Sequence, residues 1–138
     1  MKFSINSKCP CGSGNKYKNC CLSLHKGALA KDALQLMKSR YSAYVAGDIN
    51  YIIKTTHPDN KEYKQDLKEW KAEIKSFSDE TEFVRLEVFD FIDGEFESYV
   101  TFRVSMKVDE TYTFFTEKSR FVKVDNRWLY IDGEFINR

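Results

Sequence analysis

The chain has 138 residues and a formal net charge of +1, with 42% apolar, 15% aromatic and 31% charged residues. That length bounds it to one ordinary core with a small appendage, and a composition rich in Phe and Tyr excludes a disordered chain. No stretch approaches the length of a membrane span and no apolar signal-peptide core precedes Cys9, so no membrane association and a reducing cytoplasm are expected.

The charge is uneven from the start. Residues 1–31 hold Lys2, Lys8, Lys16, Lys18, Lys26 and Lys31 and no acid, leaving −5 on the remainder. A basic head on an acidic body steers the head toward phosphates or acidic protein surfaces, unless the lysines merely offset thiolate charge.

All four cysteines lie in this head, as Cys9-Pro10-Cys11, an eight-residue spacer and Cys20-Cys21. Adjacent cysteines make strained local disulfides, so cross-bridges between the two pairs would require export. In a reducing compartment four clustered thiols form a tetrahedral cage for zinc, with His25 able to replace one sulfur. Gly12-Ser13-Gly14 supplies a tight turn whose N–H groups can point at the sulfurs. A closed four-ligand shell leaves no position for water or substrate, so the metal is expected to be structural.

Cys9-Pro10-Cys11-Gly12-Ser13-Gly14-Asn15-Lys16-Tyr17-Lys18-Asn19-Cys20-Cys21 resembles the SEC-C motif, a zinc knuckle found at the C-terminus of the SecA translocation ATPase and in many bacterial proteins. In SecA the module contacts the chaperone SecB and the ribosome. The resemblance therefore implies a knuckle over residues 1–26 that docks to a partner, with Lys16, Tyr17 and Lys18 as candidate contacts.

From Ala28 to Gly47 the residues Ala33, Leu36, Met37, Tyr41, Tyr44 and Val45 recur at three- and four-residue steps, predicting an amphipathic helix helped by Asp32 and ended by Gly47. Ile49 to Thr55 reads as a short helix stopped before His57-Pro58. Glu62 to Phe77 reads as a third, with Leu67, Trp70, Ile74 and Phe77 on one face.

Near Thr81 the period changes to alternation. Strands are predicted over Phe83–Ile92, Phe96–Val108, Thr111–Val124 and Trp128–Phe135, joined by a two-residue turn at Asp93-Gly94 and tight turns at Asp109-Glu110 and Asp125-Asn126. Strands this long must twist and curl around the helices, which gives an α+β, cone-like fold with three helices packed in a curved antiparallel sheet. This body, residues 27–138, looks like the nuclear-transport-factor-2-like fold.

Leu36-Met37-Lys38-Ser39-Arg40-Tyr41-Ser42-Ala43-Tyr44, Ser119-Arg120-Phe121-Val122 and Arg127-Trp128-Leu129-Tyr130-Ile131-Asp132-Gly133 are similar to the bacterial YchJ family of uncharacterised proteins. Many members carry a second SEC-C knuckle, which is not found before Arg138. The resemblance implies architecture more than activity. Related cones often dimerise through the open sheet face, so a homodimer is one expectation.

Phe115, Glu117, Ser119 and Phe121 share a strand face, so Glu117 and Ser119 point wherever the aromatic rings point. On the concave side Glu117 would be a carboxylate in an apolar pocket with Arg40 as partner, either as a buried ion pair tying helix to sheet or as part of a site. Tyr44 and Trp70 would complete the wall, and Asp132, in an Asp-Gly turn or bulge, would add a second carboxylate at the mouth. His57 beside Pro58 is a weak candidate base.

No phosphate loop, nucleophile elbow or histidine-rich site is present. The expected role is a binding or adaptor protein whose knuckle meets an acidic protein surface or the ribosome and whose cone holds a small ligand or peptide. A small-molecule enzyme in the cone is the alternative, and nucleic-acid binding, through Tyr17 stacking among lysines, is disfavoured.

Overall fold

The structure is a computed structural model that describes residues 4–137; Lys2 of the basic head and Arg138 lie outside that range. It begins with a small hairpin in which Lys8 and Lys16 form a bridge. A 3-10 turn, Tyr17–Asn19, and helix α1, Cys21–His25, follow.

Three helices form the inner layer. Helix α2, Ala33–Ala46, starts later than its apolar periodicity implied, because Asp32 accepts a hydrogen bond from the Gln35 N–H and fixes the N-terminus. Gly47, at φ 79°, closes it in the left-handed conformation that glycine adopts without a Cβ clash. Helix α3, Ile49–Lys54, and helix α4, Leu67–Glu80, are capped in the same way by Asp48 and Asp66.

The predicted start of the third helix at Glu62 is corrected to Leu67. Asn60 holds residues 60–63 in a turn instead, its Oδ1 accepting from the Glu62 N–H. Leu67, at the helix's first turn, is consequently exposed, and only Trp70, Ile74 and Ser78 of α4 are buried.

Strands β1 (Thr81–Ile92), β2 (Glu97–Val108), β3 (Thr111–Val124) and β4 (Arg127–Phe135) form one antiparallel sheet in the order β1-β2-β3-β4. Register shifts in β1 and near Phe121 bend the long strands around the helices. Asp109-Glu110 and Asp125-Asn126 are the two-residue turns, all four residues having positive φ as a type I′ hairpin requires.

Asp93-Gly94 is not such a turn, and that expectation is corrected. Ile92 pairs with Tyr99 across a wider loop, and a Cβ on Gly94 would lie 2.1 Å from the Glu97 carbonyl oxygen. The glycine is needed for that close approach rather than for the predicted tight turn.

The core lies between the layers. Leu36, Met37 and Tyr41 of α2, Tyr51 and Ile52 of α3 and Trp70 and Ile74 of α4 meet Val100, Phe102, Val104, Phe121 and Trp128 of the sheet. Each such side chain contributes about 1.5–3 kcal/mol on burial. A parallel bridge between Thr56 and Tyr130 stitches the end of α3 to the free edge of β4.

Candidate functional site

The four sulfurs gather from two short segments. The hairpin carrying Cys9 and Cys11 is closed by the Cys9 N–H donating to the Asn15 carbonyl and turns at Gly12 and Gly14, both at φ 87°. The Tyr17–Asn19 turn then delivers Cys20 and Cys21 to the same point.

The ligand atoms of Cys9, Cys11, Cys20 and Cys21 lie within 4.8 Å of one another, and the Cys11 and Cys20 sulfurs are 3.6 Å apart. A tetrahedron of thiolates about 2.3 Å from a metal has an edge of roughly 3.8 Å, whereas a disulfide needs about 2.0 Å. The donor set therefore fits a tetrahedral, soft-ligand metal ion and not a bridge.

The polar groups around the sulfurs suit anionic ligands. Ser13 Oγ lies 3.2 Å from the Cys20 sulfur and Ser42 Oγ, on α2, 3.5 Å from that of Cys9. Hydrogen bonding from the Cys11 and Cys21 thiols pulls the Cys9 thiol far below the ordinary range, and the same contacts, with burial, push Cys21 far above it. Four thiolates this close repel one another unless a cation neutralises them.

Behind the sulfurs the knuckle is keyed into the body. Ala46 of α2 packs in the cluster of Cys9, Cys11, Tyr17 and Cys21. The Tyr17 hydroxyl contacts His25 Nδ1, and His25 Nε2 lies 2.8 Å from the Ser39 carbonyl on α2. Because that carbonyl only accepts, Nε2 carries the proton and Nδ1 accepts from Tyr17. The imidazole ring also packs 4.6 Å from the Tyr51 ring, centroid to centroid.

Two readings of the head are thereby corrected. Tyr17 is 1% exposed, because its ring fills the knuckle core, so it is no partner contact and no stacking platform. His25 is neither a ligand nor a surface residue; its side chain is 2% exposed and hydrogen-bonded at both nitrogens. Lys16 and Lys18, by contrast, are exposed, with Lys8 bridged to Lys16 in the hairpin.

Burial lowers the His25 pKa below its ordinary value. A histidine whose folded pKa lies below the unfolded value of about 6.5 stabilises the fold above that pH, and the stability falls as pH drops below it. Metal-loaded protein should therefore lose up to about 1.4 kcal/mol per pH unit below about 6.5. Urea titrations of wild type and His25→Gln across that range check this: the wild-type midpoint should fall, and the variant's should be flatter although lower at neutral pH.

The second feature is a cavity of about 490 Å³ enclosed by the helices and the concave sheet face. Arg40, Tyr44, Trp70, Phe115, Glu117, Ser119 and Phe121 all line it, so the predicted face of β3 does point inward. The rings leave it open: Trp70 and Phe121 are buried in its wall without filling it.

Arg40 and Glu117 do not form the ion pair expected of them. Arg40 Nη1 instead donates to Thr55 Oγ1 at 2.7 Å, Thr56 Oγ1 at 3.1 Å and the Ile52 carbonyl at 3.2 Å, all at the C-terminal end of α3. These oxygens suit a cation because they sit at the negative end of a helix, and Thr55 and Thr56 donate their own protons to α3 carbonyls. The guanidinium lies 4.8 Å over the Tyr130 ring.

Glu117 is held by the sheet. Its Oε2 accepts from the Tyr130 hydroxyl at 2.9 Å and from Ser119 Oγ. It also lies against Gly133, where a Cβ would come within 2.4 Å of Oε2. Asp132 lines the cavity as well, beside a bulge, and pairs across the strands with Arg120, which binds both its oxygens at 2.6 and 2.9 Å. That pair holds the carboxylate below the usual carboxylate range.

His57 is a local cap, its Nδ1 accepting from the Asp59 N–H. Sequence reasoning missed Ser42, Thr55, Thr56 and Tyr130. Ser42 and Tyr130 fall within the segments that carry the YchJ resemblance, but none of the four could be given a role from sequence, because each acquires it from a residue more than ten positions away.

Residues 6–23 match the SEC-C motif and residues 32–133 match the model for the YchJ middle domain, which is nuclear-transport-factor-2-like. A UPF0225 protein of Streptomyces coelicolor is 37% identical over 133 residues, covering 94% of this chain and 96% of the relative. The solution structure of a SEC-C motif containing protein from Rhodopseudomonas palustris superposes with a TM-score of 0.81 at 28% identity, covering 94% of this chain and 98% of that one. The crystal structure of a SEC-C motif containing protein from Psychrobacter arcticus gives 0.80 at 28% identity, covering 96% and 84%.

Proposed function

The chain belongs to the YchJ family of SEC-C and nuclear-transport-factor-2-like proteins, and from that premise we propose a cytoplasmic binding protein in which a zinc knuckle is a docking grip and the cone a ligand chamber. The observation that carries this reading is the open cavity of about 490 Å³, walled by aromatic rings with Arg40 and Glu117 in its lining. Ligand pockets of folded proteins share that size and that mixture of apolar wall and a few polar groups. Among the described residues no helix is long and apolar enough to cross a membrane.

The donor set supports zinc as the metal. Four thiolates in a closed shell suit a structural zinc and leave no site for a reacting group. Native mass spectrometry of gently purified protein tests metal and ligand together: one zinc per chain and a retained small molecule are expected, and an empty cone in every preparation counts against the chamber.

Docking is assigned to the exposed Lys16 and Lys18 beside Lys8, facing an acidic protein surface or the ribosome. Changing Lys16 and Lys18 to Glu should leave the unfolding midpoint within about 0.5 kcal/mol of wild type while reducing partner recovery in a pull-down severalfold. An unchanged set of partners would reject the assignment.

An enzyme acting in the cone is the second reading, favoured by one observation. Glu117 Oε1 accepts no hydrogen bond among the described residues, which leaves a lone pair for a substrate proton, with Arg40 orienting an anion.

A further inference from the structure

We propose that the chamber is built for a small zwitterion, an α-amino acid with an aromatic or other apolar side chain, its carboxylate on Arg40 and its ammonium group on Glu117. The inference rests on the ligand-chamber reading and deepens it by naming the ligand class.

Arg40 is anchored on one side only. Its three hydrogen bonds all leave from Nη1, and its face rests on Tyr130. Nε and Nη2 have no acceptor among the described residues, on a side chain that lines the cavity. Those two groups form one edge of the guanidinium fork, the edge that grips a carboxylate with two parallel hydrogen bonds.

Glu117 is anchored in the complementary way. Ser119 and Tyr130 both donate to Oε2, and Oε1 has no donor among the described residues. Tyr130 thus stands between the two charges, its ring under the cation and its hydroxyl on the anion. Burial pushes the Tyr130 hydroxyl well above the usual tyrosine range, so it remains a donor to Glu117.

Arg40 and Glu117 both line this chamber, and among the described residues no salt bridge joins them. Tyr130 spaces them, its ring centroid 4.8 Å from the Arg40 guanidinium and its hydroxyl 2.9 Å from Glu117 Oε2. The hydroxyl of Tyr44, which also lines the chamber, makes no hydrogen bond among the described residues and offers a further contact to the head.

Charge balance selects the class. A wholly apolar ligand would strip water from both ions and replace nothing, and a ligand with one charge would compensate only one. A zwitterion pairs both, while the other charged residues of the lining, Asp59, Lys61, Glu62 and Asp132, are exposed and keep their own hydration. The remaining wall, including Tyr41, Trp70, Phe83, Phe102 and Phe115, then receives the side chain.

Calorimetric titration of the zinc-loaded full chain with four probes tests this: L-phenylalanine, L-phenylalaninamide, N-acetyl-L-phenylalanine and N-acetyl-L-phenylalaninamide. L-Phenylalanine should bind, and blocking either end should weaken it about tenfold or more. In Glu117→Gln, which keeps the acceptor for Ser119 and Tyr130, L-phenylalanine should weaken by a similar factor and N-acetyl-L-phenylalanine should be unaffected. Gly133→Ala, which displaces the Glu117 carboxylate without removing it, should reproduce that pattern, with circular dichroism confirming the fold of both variants. Equal or tighter binding of the doubly blocked probe would overturn the zwitterion and leave the chamber standing. No binding of any probe, with no molecule retained from cells, would overturn the inference and the chamber together.

Discussion

Replacing Cys21 by Ser should reduce bound metal from one ion per chain to near zero and lower stability by about 4 kcal/mol or more, the class of loss seen when a structural metal is removed. The size follows from how little else holds the knuckle: its core is Cys9, Cys11, Tyr17, Cys21 and Ala46. Cys21 is buried and sits at the start of α1, so a serine there removes a thiolate and leaves a hydroxyl among three sulfurs. Metal analysis with urea unfolding in excess zinc checks it. Full metal content with an unshifted midpoint would show that three sulfurs suffice.

The second large effect is at Tyr17. Tyr17→Ala should cost about 3–5 kcal/mol, the range for emptying a fully buried aromatic site. It also strips His25 Nδ1 of its donor beside Asp48, whose carboxylate is 4.0 Å away. Tyr17→Phe, which keeps the ring, should lose only about 1 kcal/mol. If Tyr17→Ala unfolded at the wild-type midpoint while weakening partner capture, Tyr17 would be the surface contact its sequence position suggested. Thermal and urea unfolding of both variants decide the matter.

Local signals were legible and long-range ones were not. The cysteine spacing, the Gly12-Ser13-Gly14 turn, three helices, four strands and the inward face of β3 are each set by a few consecutive residues, through turn chemistry or hydrophobic period. The SEC-C and YchJ resemblances found in the residues agree with the matched segments. Asp-Gly at 93–94 misled because the same dipeptide serves a hairpin turn or a close backbone approach, and only the position of the Glu97 carbonyl distinguishes them.

Tyr17 misled for a related reason. A tyrosine between two lysines resembles an exposed contact, yet the turn at Tyr17–Asn19 points Lys16 and Lys18 outward and the ring inward. Arg40 and Glu117 were correctly brought to one chamber and wrongly paired. Arg40, on α2, finds three oxygens at the end of α3 closer at hand, and Glu117 finds two hydroxyls, so each charge is half satisfied before reaching the other. That half-satisfaction, invisible in sequence, is what makes the chamber chemically specific.

The proposed docking grip depends on the four sulfurs sharing one ion. X-ray absorption at the zinc edge on protein purified without added metal addresses this directly, because it counts and identifies neighbours of the bound ion. Four sulfurs at about 2.3 Å with no nitrogen or oxygen neighbour is the expected spectrum. A shell containing light atoms, or protein that carries no zinc and joins Cys11 to Cys20 in a disulfide, would contradict it.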